Sequence, residues 1–215
     1  MTLKTDNYQI GLDSVTDSKN YLLDTDITGA LRIRRNSDGS GATILNISPD
    51  GETIARIKQI PAKALSGTAV DWQPSSSDGP PSWAKKATLV FDRLSTNGTA
   101  QILVQLGSTT IQTTGYDSYS VALTNASAIA GNAVTSGFHL FDQNAGSIRS
   151  GRMTLQLVSA AQWISDHTLA VSSVAAVLSG AGSVTLAGVF DRLRLTTVGG
   201  TNTFDGGSVS VIYEG

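Results

Sequence analysis

A five-residue string, Val-Phe-Asp-Arg-Leu, occurs twice in this chain, at Val90–Leu94 and at Val189–Leu193. Small polar residues and glycine follow each copy: STNGT directly after the first, and TTVGGT, one Arg-Leu pair later, after the second. In an extended strand, residues two apart share a face. Ala87, Leu89 and Phe91 therefore fall on one face, whereas the next large apolar residue, Leu94, falls on the other. Around the second copy Val184, Leu186 and Phe190 share a face, and Leu193 and Leu195 carry the apolar load on the opposite parity. Both copies change register across the Asp-Arg pair. A β-bulge or strand bend does this, because one extra residue re-aims everything downstream. The expectation is a pair of equivalent strands bracketing one domain. Asp92-Arg93 and Asp191-Arg192 would sit at bulges or bends as ion pairs that pin them. The alternative use of these pairs is an exposed contact for a partner.

Composition carries the strand reading further. Asp outnumbers Glu fifteen to two and glycine reaches 22 residues. Asp and Gly favour turns, whereas Glu favours helices. With abundant Thr, Ser and Val, this balance argues for an all-β protein. A hydrophobic content of 40% is enough for a core. The net charge of −2 argues against a nucleic-acid partner engaged through phosphates. The absence of cysteine rules out a disulfide framework or a thiolate metal site. The first residues, MTLKTDNYQIGLD, lack the apolar core of a signal peptide, and no run approaches the roughly 18 apolar residues of a membrane helix. A chain made in a cytoplasm, without membrane insertion, is expected.

Three regions follow from the punctuation. Residues 1–57 read as a strand-and-turn arm, with strand candidates at Tyr8–Leu12, Tyr21–Asp24, Leu31–Arg34, Ile44–Ser48 and Thr53–Ile57. The run Asn36–Gly41 supplies a hairpin loop, and Ser48-Pro49-Asp50-Gly51 a turn. This arm has no Trp or Phe and buries too little to be comfortable alone, so pairing with sibling chains is expected. Residues 58–82 read as a linker, since four of the five prolines lie at 61, 74, 80 and 81 around QPSSSDG. Trp72 inside it would pack onto a neighbouring domain or mark a subunit contact. Residues 83–215 carry many short strand patterns separated by turn signals, which indicates an antiparallel β-sandwich, jelly-roll-like. Val171–Leu178 could instead form helical turns.

Candidate sites are sparse. There is no Cys nucleophile and no G-x-S-x-G elbow, and the only histidines are His139, in a strand pattern, and His167, in a solvated loop-like pairing with Asp166. No enzyme and no cofactor are expected. Asp142-x-Asn144-x-Gly146 and Asn36-x-Asp38-x-Ser40 have the oxygen spacing of calcium loops, but both lack the closing acidic residue and are read as turns, so no metal is expected. Tyr116, Asp117 and Tyr119, in a glycine-flanked polar loop, together with Trp163, are the candidate glycan or partner contacts. Structural roles for Tyr116 and Tyr119 in a turn and a core strand, and for Trp163 in a core or subunit interface, compete with that use.

The strings PPSWAKKATLVFDRLSTNGT, VQLGS with TTGYDS, TSGFHLFD, and DRLRLTTVGGTNTFDGGSVSVIYEG occur in this order through residues 83–215. In them this region resembles the β-domain found at the C-terminus of tailed-bacteriophage tail-fibre and virion appendage proteins. The ending TFDGGSVSVIYE is the most specific piece. The resemblance implies a structural component of the virion, either a tail fibre or a short appendage decorating the capsid. It would be anchored by its N-terminal arm and would expose its sandwich for host-surface attachment or particle reinforcement. It further implies a homotrimer, with other virion proteins and a host surface glycan as partners. The alternative is a carbohydrate-binding module of a non-viral bacterial protein.

Overall fold

The computed structural model describes residues 8–10, 21–25, 31–35, 43–47, 56–124, 129–142 and 144–215, with side chains given from residue 56 onward except at 129 and 130. The chain divides into two compact units, Met1–Ala55 and Arg56–Gly215. Among the described residues no helix is long and apolar enough to cross a membrane, and the only helical element is a 3-10 turn at Val198–Gly200.

The first unit contains four strands, β1 (Tyr8–Ile10), β2 (Tyr21–Thr25), β3 (Leu31–Arg35) and β4 (Thr43–Ile47). They pair in sequence order as an antiparallel meander, with Leu23 between Tyr8 and Ile33. Four of the expected strands are thus present. The Asn36–Gly41 loop, with its calcium-like spacing, the Ser48–Gly51 turn and residues 53–55 lie outside the described residues.

The second unit is an antiparallel β-sandwich. Its strands are β5 (Ile57–Ala64), β6 (Ala69–Trp72), β7 (Lys86–Thr96), β8 (Ile102–Ser108), β9 (Thr110–Ile111), β10 (Asp117–Thr124) and β11 (Ile129–Val134). They continue as β12 (Phe138–Leu140), β13 (Arg149–Ser159), β14 (Gln162–Val171), β15 (Ala176–Thr185), β16 (Arg192–Thr197) and β17 (Phe204–Glu214). One sheet has eight strands in the order β11-β10-β15-β14-β13-β7-β17-β5; the other has β12-β8-β16-β6, with β9 folded onto β8. Alternating side chains of both sheets meet in one core. Leu89, Phe91, Met153, Leu155, Trp163, Leu178 and Val211 come from the larger sheet, and Trp72, Val104, Leu106, Leu193 and Leu195 from the smaller.

The parity change at the first Asp-Arg pair is a bulge inside β7. Ala87, Leu89 and Phe91 point inward, and after exposed Asp92 and Arg93 the inward series resumes at Leu94 and Thr96. Phe91 pairs with Gly151 of β13 and Leu94 with Arg149, so Asp92 and Arg93 together face the single residue Ser150. Arg93 takes a left-handed backbone, φ 55°, and its N–H is held by the Ser150 hydroxyl at 3.0 Å. On the other side of β7, Gly207 of β17 accommodates the bulge: a Cβ there would stand 2.5 Å from the Arg93 carbonyl oxygen. Only glycine fits at position 207.

The second copy is not an equivalent strand. β15 ends at Thr185, the chain bends through residues 187–189, and Asp191 leads into β16, which belongs to the other sheet. Leu186 and Phe190 remain buried on the way, as do Leu193 and Leu195 beyond. The same parity change is therefore made by a crossing between sheets. A short string shared by two segments leaves open which neighbours each will find.

Residues 58–82, expected to be a linker, are instead built into the sandwich as β5 and β6. Pro61 is tolerated because β5 is an edge strand and because Pro61 and Ala62 lie in a bulge, where Ile60 pairs with Val211 and Lys63 with Val209. Trp72 is fully buried in the sandwich's own core, with the Lys63 ammonium 5.4 Å from its ring centroid. The Gln73–Gly79 loop is tied back to β5 by an ion pair of Lys63 with Asp78, 3.1 Å, and by Lys58 Nζ donating to the Gly79 carbonyl, 2.8 Å. Val171–Leu178 is likewise not helical. β14 and β15 pair out to Val171 and Ala176 across a four-residue turn, because Leu169, Val171, Ala176 and Leu178 all reach the core that way.

Candidate functional site

The residues singled out for ligand contact do not form one surface. Tyr116 is buried with its ring edge-on to Phe138, centroids 5.0 Å apart. Its hydroxyl accepts from the Leu106 N–H, 2.7 Å, and donates to the Leu106 carbonyl, 3.3 Å. Burial pushes its phenol pKa up. Trp163 packs on Phe190, centroids 4.8 Å apart, deep in the core. Asp117 and Tyr119 are exposed on β10. Trp163 is therefore a core residue, Tyr116 locks the turn onto β8, and neither is a platform for a sugar. Of the Asp-Arg pairs, Asp191 and Arg192 lie 3.5 Å apart, whereas no ion pair joins Asp92 to Arg93 among the described residues.

His167, expected in a solvated loop, points into the core from β14, its Nε2 3.0 Å from the Ser120 hydroxyl. That hydroxyl also accepts the Phe141 N–H, 3.1 Å, and the Ser118 hydroxyl accepts the His139 N–H, 3.1 Å. Two serines of the large sheet thereby hold the edge of the small one. Burial lowers the pKa of His139 to about 4, and burial plus the neighbouring His139 lowers that of His167 to about 4. The Ser120–His167 contact is shut away from any substrate. The calcium-like spacing at Asp142 is filled by a guanidinium: Arg149 Nε and Nη2 lie 3.1 and 3.0 Å from Asp142 Oδ2. Asp142 Oδ1 accepts the Asn144 N–H at 3.0 Å, which makes the turn.

A concavity lies on the outer face of the smaller sheet. β6 and β16 pair so that Val70, Trp72, Leu193 and Leu195 face inward and Asp71 and Arg194 face outward, directly opposite each other. Arg194 grips Asp71 with two bonds, Nε to Oδ1 at 2.7 Å and Nη2 to Oδ2 at 2.9 Å. This hydrogen bonding raises the Arg194 pKa. Two residue pairs along, on the same face, Arg192 Nη1 donates to Gln73 Oε1 at 3.4 Å. The third wall is the tight β8–β9 turn. Gly107 allows the chain to double back, since a Cβ there would meet the Thr110 carbonyl oxygen at 2.2 Å. Thr109 sits at φ 67° with its N–H on Asp191 Oδ1, 3.0 Å. These walls enclose about 370 Å³, lined also by Thr110, Ile111 and Thr113.

The cleft is charge-balanced, two arginines against Asp71 and Asp191. Asp71, Arg194, Gln73 and Asp191 are held by one another, by Arg192 and by the Thr109 N–H, so these groups are pre-oriented. Held carboxylate, guanidinium and amide groups, with threonine hydroxyls and the apolar Ile111 beside them, suit a neutral polyhydroxylated ligand, and the volume lies in the range of small-ligand sites. Among the described residues no cluster of three or more His, Cys, Asp or Glu stands together.

The second unit is thus an antiparallel β-sandwich with a charge-balanced polar cleft on its smaller sheet. No family model, no curated protein and no solved structure matches the chain. Asp71, Gln73, Thr109, Thr110, Thr113 and Arg194 were not candidates in the sequence. The signal for two of them is the alternation in AVDW and RLRL, where one polar residue lies between inward apolar ones. Reading residues 58–82 as a linker hid the first of these strands.

Proposed function

We propose that this protein is a non-catalytic attachment component of a tailed-phage virion, a short fibre or decoration appendage, whose sandwich binds a neutral host-surface glycan in the cleft between β6, β16 and β9. The observation that carries the reading is the cross-strand Asp71–Arg194 grip beside Arg192 and Gln73, a rigid, charge-balanced set of hydrogen-bonding groups. The resemblance of residues 83–215 to phage appendage domains supplies the virion setting. In that setting the N-terminal arm anchors the chain and joins it to siblings, with a homotrimer as the stoichiometry the resemblance implies. The same cleft would serve a carbohydrate-binding module of a non-viral bacterial protein.

Titrating the full chain with neutral host-surface oligosaccharides by calorimetry tests the site. Gln73→Ala and Thr110→Ala, which leave the Asp71–Arg194 grip intact, are expected to weaken binding roughly tenfold each, about 1.4 kcal/mol. Saccharide binding indifferent to both, or no binding to any surface glycan, overturns the site. Absence of the chain from purified particles leaves the site standing and replaces the virion setting with the non-viral module.

A further inference from the structure

Strand register sorts the outward groups of the smaller sheet into two rows. In the first, Asp71 of β6 lies opposite Arg194 of β16, and Arg194 opposite Gln105 of β8. In the second, Arg192 lies opposite Gly107, and Gly107 opposite Ile111 of β9. Gln73, where the chain leaves β6, flanks Arg192 on its other side and accepts from its Nη1 at 3.4 Å. The second row thus runs amide, guanidinium, glycine, isoleucine. With strands about 4.8 Å apart, the Arg192 and Ile111 backbones stand roughly 10 Å from each other, and the row carries no side chain between them. We propose that this gap selects N-acetylated amino sugars, the acetamido group lying between the Gln73–Arg192 donors and Ile111. The proposal rests on the glycan reading of the same cleft and names the sugar class.

The two rows differ in the hydrogen bonds left to offer. Both oxygens of Asp71 accept from Arg194, and the Gln105 amide donates to the Ser136 carbonyl at 2.7 Å, so the first row is satisfied internally. In the second, Gln73 Nε2 and Arg192 Nη2 make no hydrogen bond to a described residue. Arg192 Nε is buried without a hydrogen-bond partner, 3.5 Å from Asp191 Oδ1. The capacity left on these two side chains is chiefly donor, and Asp191 already balances the charge. That combination calls for a neutral acceptor. A carbonyl oxygen, with two lone pairs, takes two donors at once, whereas a hydroxyl must also place its own proton. An acetamido group supplies that carbonyl and, next to it, a methyl for the half-buried Ile111. The exposed Thr110 and Thr113 remain for ring hydroxyls. Thr109 is an independent sign: a β-branched residue at φ 67° is strained, and such strain concentrates where ligands are clamped.

Calorimetric titration of the full chain tests this with trisaccharides of N-acetylglucosamine and of N-acetylgalactosamine. Each is compared with its glucose or galactose counterpart, which bears a hydroxyl in place of the acetamido group. At least one acetamido sugar is expected to bind at least roughly tenfold more tightly than its counterpart. Gln73→Met, which keeps the length and loses the amide, and Ile111→Ser should each lower that ratio at least roughly threefold, with the circular dichroism spectrum unchanged. Equal binding of the two sugar classes, still weakened by Gln73→Ala, overturns the acetamido assignment and leaves the glycan cleft standing. A preference that survives both Gln73→Met and Ile111→Ser overturns it as well. No binding of any saccharide removes the assignment and the glycan reading together.

Discussion

Asp142→Asn should cost the sandwich about 3 kcal/mol, and the reason lies in how Arg149 is held. The two side chains are 5% and 1% exposed and meet at 3.0 Å. Removing one partner of a buried ion pair costs about 3–5 kcal/mol, because the remaining charge stays desolvated. The lower end applies. Asparagine is isosteric and still accepts the Asn144 N–H, and Arg149 keeps its bonds to the carbonyls of Ser147, 3.1 Å, and Asn144, 3.3 Å. Burial outweighs the favourable influence of Asp142 and Asp205 and leaves the Arg149 pKa lowered, so the pair itself adds little over an apolar filling. Asp142→Asn with Arg149→Met should therefore be more stable than Asp142→Asn alone.

All three tryptophans, Trp72, Trp83 and Trp163, belong to the second unit, so intrinsic fluorescence during urea unfolding reports on that unit without the first. At about 2–4 °C per kcal/mol for a unit of this size, the single substitution should lower Tm by roughly 6–12 °C. A single variant within about 0.5 kcal/mol of the wild type refutes the reasoning, as does a double variant less stable than the single.

Acidification should destabilise the sandwich between pH 6.5 and about 4. His139 and His167 are buried neutral with pKa values of about 4, so over this window the unfolded chain binds protons that the folded chain refuses. Stability is then full above pH 6.5 and falls with pH by up to about 2.7 kcal/mol per unit if both imidazoles contribute. His139→Phe should reduce that slope by about half, and urea midpoints at three pH values that show no change in slope would sink the idea. At the β7 bulge two substitutions should act in opposite directions. Gly207→Ala brings a Cβ to 2.5 Å from the Arg93 carbonyl at φ 88° and should cost at least about 2 kcal/mol. Arg93→Gly relieves a left-handed backbone and should be neutral or stabilising by up to about 1 kcal/mol. Denaturant curves in which Arg93→Gly is the more harmful of the two would rule this account out.

What could be read from the chain was whatever depends on alternation within one strand. The inward set of β7 and its break at Asp92-Arg93 follow from residue parity alone, and the all-β class follows from composition. What could not be read depends on which strand lies alongside. Pro61 is compatible with a strand only because β5 is an edge with a bulge beside Ser210, and nothing local distinguishes that from a linker. The second Val-Phe-Asp-Arg-Leu has the same parity as the first, but its neighbours are β8 and β6 of the other sheet. The cleft suffered most, since its walls come from residues near 71, 110 and 193. No spacing in the sequence relates segments so far apart. The guanidinium in the Asp142 loop is seven residues from the carboxylate it replaces a metal for, close enough to be suspected once a basic residue is considered as the cation.

The treatment of the sheet edges bears on where association can occur. A sandwich of two open sheets presents four edge strands, here β5, β6, β11 and β12. β5 carries Lys58, Lys63 and Pro61, the residues that discourage strand addition. β12 has its outward N–H groups at His139 and Phe141 taken by the Ser118 and Ser120 hydroxyls. β6 has the Asp71 carbonyl capped by Lys63 Nζ at 3.1 Å. β11, Ile-Ala-Gly-Asn-Ala-Val, has neither charge nor proline. It also borders β10, on which Tyr119 and Leu123 are exposed. Strand addition is therefore least opposed at β11.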